Sequence, residues 1–80
     1  MTRVEMSLWA LAYHDSVREQ RDYWQAQPGN HADEYRHITT RACERAALAI
    51  EDLRRVRVED LDSVPAQNLL TEVRRRLGHV

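Results

Sequence analysis

Pro28-Gly29-Asn30 separates two long amphipathic runs, and that break constrains the fold more than any other feature of this 80-residue chain. Pro and Gly together stop a helix. On the N-terminal side, Met6, Ala10, Tyr13, Val17, Gln20 and Trp24 recur at alternating spacings of four and three, which is one face of a helix. Thr2 and Glu5 form the Thr-x-x-Glu pattern of a capping box at its start. The spacing predicts helix 1 over about 3–26, roughly 36 Å long at 1.5 Å per residue.

Beyond a turn at 27–30, Asn30 is a suitable N-cap, and Asp33 falls where the helix dipole favours a negative charge. Tyr35, Ile38, Ala42, Ala46, Ala49, Leu53 and Val56 mark the apolar face of helix 2, about 31–57. The alanines in its middle permit close backbone approach, and the short turn returns helix 2 alongside helix 1 as an αα-hairpin.

A connector over 58–62 follows. Val56-Arg57-Val58 alternates like a strand but is too short and lacks a partner strand. Ser63 can cap helix 3, about 64–77, with Pro65 in its first turn and Gly78 just past its end. Its apolar face is Ala66, Leu69, Leu70, Val73 and Leu77.

Helix 1 carries a second stripe, Val4, Leu8 and Leu11, with Trp9 between the two. One neighbouring helix cannot cover both. Docking Leu69, Leu70, Val73 and Leu77 on Val4, Leu8 and Leu11 resolves this within one chain. The expected fold is therefore all-α: a long antiparallel αα-hairpin with a shorter third helix packed at its open end, a three-helix bundle. A dimer that uses the same surface is the competing arrangement. So short a chain buries only about 60% of the surface its unfolded form exposes, which also favours a partner.

Composition narrows the function. The net charge is −1, and every one of the 12 basic residues is Arg. Lysine codons are AT-rich, so this Arg bias points to a high-GC genome. A general nucleic-acid binder would show a basic excess. No apolar run approaches the roughly 20 residues that span a bilayer. A single cysteine and the lack of a signal-peptide pattern point to a reducing, cytoplasmic setting. Cys43, beside the alanine stripe, reads as a buried, inert thiol.

No catalytic or cofactor motif emerges. Glu34-x-x-His37 has the spacing of carboxylate-bridged metal bundles, but the second such pair is missing, since Leu11 precedes His14 at that spacing. His37 followed by Arg41 superficially suits a phosphoacceptor, yet no phosphotransfer motif surrounds it. Neither an enzyme, a metal, a cofactor nor a small-molecule substrate is expected. Arg18–Asp22, Glu51–Arg55 and Glu72–Arg76 stand at i, i+4 and read as solvated ion pairs.

The closed end of the hairpin, roughly Gln20 to Ile38, is where function is expected. It has two helical layers rather than three, yet carries Tyr23, Trp24 and Tyr35 beside Arg21, Arg36, His31 and His37. Trp, Tyr and Arg are enriched at binding hot spots. Arg21, Tyr23, Trp24, His31, Tyr35 and Arg36 are the candidate partner-binding residues. Trp24 and Tyr35 have a second possible role, stapling the hairpin end together; Tyr23, one position off the stripe, is expected to be exposed. The chain reads as a small non-enzymatic interaction module: an adaptor, inhibitor or assembly subunit, in concrete form a phage or mobile-element accessory protein that blocks a host complex. The alternative is a small nucleic-acid-binding regulator that uses Arg54 to Arg57 and Arg74 to Arg76.

Overall fold

The computed structural model describes residues 2–29, 33–56 and 61–78. Helix α1 spans Arg3–Gln25, α2 spans Glu34–Arg55 and α3 spans Leu69–Leu77. Two 3-10 turns, Leu61–Ser63 and Ala66–Asn68, precede α3. The helices form an elongated body of 48 × 25 × 19 Å, with α1 and α2 packed as a hairpin and α3 against both.

The capping box forms as its spacing requires. Thr2 Oγ1 accepts the Glu5 backbone N–H at 3.1 Å, and the Thr2 N–H donates to Glu5 Oε1 at 3.0 Å. The Thr2 bonds hold the Glu5 carboxyl below its ordinary range. At the other end, Ala26 and Gln27 donate their N–H groups to Tyr23 and Trp24, tightening the last turn before Pro28. Gly29 has φ 102°, a left-handed conformation that only glycine adopts cheaply.

Asp33 occupies the N-cap position of α2, without a side-chain cap bond. The expected cap, Asn30, lies outside the described residues. Helix 2 ends at Arg55, short of the expected boundary at 57. Val56 turns to an extended conformation (φ −106°, ψ 160°) and buries its side chain in the core instead. Residues 57–60, the expected end of helix 2 and most of the connector, lie outside the described residues.

Helix 3 begins at Leu69 rather than near residue 64. Pro65 is extended (φ −56°, ψ 141°), and proline also restricts the residue before it to extended conformations. The segment therefore folds into two separate 3-10 turns rather than one helical turn. The first turn inserts Leu61, fully buried, as a plug in the core. Ser63 belongs to that turn and not to the start of α3. Arg3 anchors the turn to α1 by donating to the Asp62 carbonyl at 3.2 Å.

One core cluster unites the open end. It contains Val4, Leu8 and Ala12 of α1, Ala46, Ala49, Ile50 and Leu53 of α2, then Val56, Leu61, Leu69 and Val73. Leu11, Leu70 and Leu77 pack against it half-buried. Within the chain α3 thus shares one core with Val4, Leu8 and Leu11, and Leu8 is fully buried.

The principal face of α1 differs from the expected one. Met6, the first residue of the anticipated stripe, is 60% exposed, and Ala10, Tyr13 and Val17 are only half-buried. Burial follows Val4, Leu8, Ala12 and Ser16 instead. That is an i, i+4 row, and such rows are inclined to the helix axis, whereas a seam of alternating fours and threes runs nearly straight. The two lines converge at Gln20 and Trp24 and separate toward Met6. On α2 the expected face is buried from Ile38 through Ala42, Ala46, Ala49 and Leu53 to Val56, with Ile50 beside it and only Tyr35 left out.

Candidate functional site

Toward the closed end the packing becomes polar and thin. Ile38 and Ala42 are buried but lie outside the main cluster. Ser16 is the one buried polar residue among those described, and Gln20 completes the join. Gln20 Nε2 donates to Ser16 Oγ at 3.0 Å, to the Ser16 carbonyl at 3.3 Å and across to the Ile38 carbonyl of α2 at 3.1 Å. Two N–H groups shared over three acceptors tie the helices where apolar material runs out. Glu19 adds an exposed bridge, accepting from Arg45 Nη1 at 3.1 Å.

Beyond this clamp the aromatic residues divide. Trp24 is half-buried, and its ring stacks on His37 of α2, with centroids 5.9 Å apart and planes 17° apart. Tyr23 meets Trp24 edge-on at 5.7 Å and 85°. Trp24 is therefore the staple of the hairpin end, and its partner is His37. Tyr35 is not part of that staple: it is 79% exposed, because α1 ends before it can cover the first turn of α2. Tyr23 is 59% exposed.

Arg36 pairs with Asp33 at 3.5 Å, both side chains largely in water. Thr39 Oγ1 donates to the Tyr35 and Arg36 carbonyls at 3.0 and 3.2 Å, bracing the turn that displays them. Arg21 is exposed on α1, in a shallow groove with His14, Val17, Arg18, Asp22 and Gln25. His31 lies outside the described residues. The structure thus brings Tyr23, Trp24 and His37 together, leaves Tyr35 and Arg36 displayed on α2, and sets Arg21 on the flank of α1. His37 was missing from the sequence-derived set as a partner of Trp24. The antiparallel register, which opposes the end of α1 to the start of α2, is the signal that could have found it.

The arginine clusters are largely neutralised at the end of α3. Glu72 holds both Arg75 and Arg76, the latter at 2.9 Å, and Arg74 reaches Asp15 of α1 at 3.8 Å. The two guanidiniums lower the Glu72 carboxyl from 4.5 to about 2, Arg75 contributing most. Of the three expected i, i+4 pairs, Glu72–Arg76 forms; Arg18–Asp22 and Glu51–Arg55 do not close to ion-pair distance. Arg54 and Arg55 are exposed, and Arg57 lies outside the described residues.

Cys43 is exposed, contrary to the expected buried thiol. It follows Ala42 on α2, and about 100° of rotation per residue carries it off the buried row. Among the described residues, no three His, Cys, Asp or Glu side chains gather as a metal site. No described helix is long and apolar enough to cross a membrane. Comparison with protein-family models, with curated proteins and with solved structures yields no match for this chain.

Proposed function

We propose that this protein is a small, non-enzymatic protein–protein interaction module that engages another protein with the closed end of its hairpin. The observation that carries the reading is the pair of tyrosines displayed there, Tyr23 at 59% and Tyr35 at 79% exposure. Tyrosine offers a large amphipathic contact area with only two side-chain torsions to immobilise. The Trp24–His37 stack and the Gln20 clamp hold the display in place, so little ordering is left to the moment of binding. Arg21 and Arg36 add charged contacts at the rim.

An adaptor, inhibitor or assembly subunit fits this design. The lysine-free composition suggests a high-GC source, and an accessory protein of a phage or mobile element that blocks a host complex is its concrete form. A reducing, cytoplasmic setting suits a chain with one exposed cysteine. The ion pairs of Arg74, Arg75 and Arg76 weigh against nucleic acid as the partner, because paired guanidiniums release fewer counterions.

The test is a pull-down from native extract with immobilised wild-type chain and with Tyr23→Ala/Tyr35→Ala. The expected result is a defined protein retained by the wild type and lost from the variant, with unchanged melting temperatures. Retention of that protein by both would end the tip reading, as would strong, salt-sensitive retention of DNA in its place.

A further inference from the structure

The stripe Met6, Ala10, Tyr13 and Val17 remains half-covered, because α2 packs on the inclined row beside it. Its spacings alternate four, three and four, the pattern of a heptad seam at which helices pair side by side with knobs in holes. The surface is preordered: the Tyr13 ring stacks on Trp9 at 5.1 Å and 13° and meets His14 edge-on at 5.7 Å.

Charge on α1 is sorted about this stripe. At about 100° per residue, Arg3, His14, Arg18 and Arg21 all fall on one flank of it. Most of its carboxylates are engaged elsewhere. Glu5 closes the Thr2 cap, Asp15 meets Arg74 of α3 and Glu19 meets Arg45 of α2, while Asp22 lies on the far side of Arg18. Arg18 and Arg21 have no carboxylate within ion-pair distance among the described residues, and the hydrogen bond of Arg3 goes to the Asp62 carbonyl rather than to a carboxylate. Three of the four acids of α1 are thus engaged in its cap or across the bundle, Asp22 alone shares the groove with Arg18 and Arg21, and the cations outnumber it beside an apolar seam.

We infer that this face of α1 is a docking seam for an amphipathic helix of another protein whose apolar stripe is flanked by Asp or Glu. The seam periodicity calls for a helix, and the uncompensated guanidiniums call for carboxylates. A second copy of this chain meets the first condition and fails the second: antiparallel self-pairing sets the Arg flank against its own equivalent. The seam shares only Arg21 with the rim of the tyrosine tip and stands without the tip.

Two labelled synthetic helices of about 18 residues, roughly 27 Å long, test this by fluorescence anisotropy with the full chain. They share one Leu/Ala seam and differ only in Glu or Lys flanks. The expected result is binding of the Glu peptide, weakened by added salt, and none of the Lys peptide. Arg18→Glu with Arg21→Glu, both exposed and outside the core, reverses the preference. It weakens the Glu peptide about fourfold or more, since each exposed charge contact is worth a factor of about 1.4 to 5 and two attractions become repulsions. Val17→Asp also weakens binding. Equal binding of both peptides, or of neither, overturns the seam. So does capture of phosphatidylserine vesicles in preference to the Glu peptide. Loss of Glu-peptide binding in Tyr23→Ala/Tyr35→Ala but not on charge reversal would place the contact at the tip instead.

Discussion

Replacing Ala46 by Leu tests the close contact of α1 and α2 directly. Ala46 is fully buried, midway along the row Ile38, Ala42, Ala46, Ile50, and it belongs to the same core cluster as Leu8 and Ala12. Leucine is as good a helix former as this position needs, so the change acts through packing. If the seam held a void, the added isopropyl group would stabilise the fold by about 2 kcal/mol at roughly 0.8 kcal/mol per buried carbon. A closed seam reverses the sign, and overpacking costs about 1–3 kcal/mol. A domain of this length has about 4–12 kcal/mol in total. At about 4–8 °C per kcal/mol for so short a chain, the melting temperature should fall by about 4–24 °C. Ala47→Leu is the control, because Ala47 is exposed one position along the same helix. It should stay within about 4 °C of wild type. Thermal melts followed by far-UV circular dichroism measure both. An Ala46→Leu protein that melts at or above the wild type would show that alanine does not set the helix separation.

Gln20→Ala should cost about 1 kcal/mol, the net worth of a typical hydrogen bond, while Ser16→Ala should cost less, because Gln20 keeps its bonds to the Ser16 and Ile38 carbonyls; the reverse order in urea unfolding would refute the clamp. Glu72 is held near 2 in the folded chain, below its ordinary 4.5. Its contribution is therefore complete above pH 4.5 and is lost as pH falls toward 2. Glu72→Gln should accordingly differ from the wild type in urea midpoint at about pH 6 and converge with it near about pH 2, and a constant difference would refute the assignment. Cys43 should react with a maleimide in the native protein as fast as it does in urea, as an exposed thiol does; protection until unfolding would restore the buried reading.

The hairpin, the capping box and the three helices were legible because their causes are local. Thr2 and Glu5 lie within one helical turn of each other, Pro28 and Gly29 act on the backbone where they stand, and the apolar repeats need no neighbour to be recognised. The exposure of Tyr23 is legible for the same reason, from its offset from a visible stripe. Pro65 is equally visible, but the burial of Leu61 beside it depends on a core that only the folded chain assembles.

The sequence alone therefore determines that this chain is helical, where it turns and which residues can be apolar partners. It offers α1 two stripes, Met6-Ala10-Tyr13-Val17 and Val4-Leu8-Leu11, and its periodicity favours the longer first one, which the fold does not bury. Only the tertiary structure decides, because the row a helix buries follows from how it crosses its neighbour, a property of the pair and not of either sequence. The same decision exposes Met6 and Cys43. It joins Trp24 to His37 across the hairpin end and leaves Tyr35 uncovered, for the distance from Gln25 to Glu34 sets where one helix stops shielding the other.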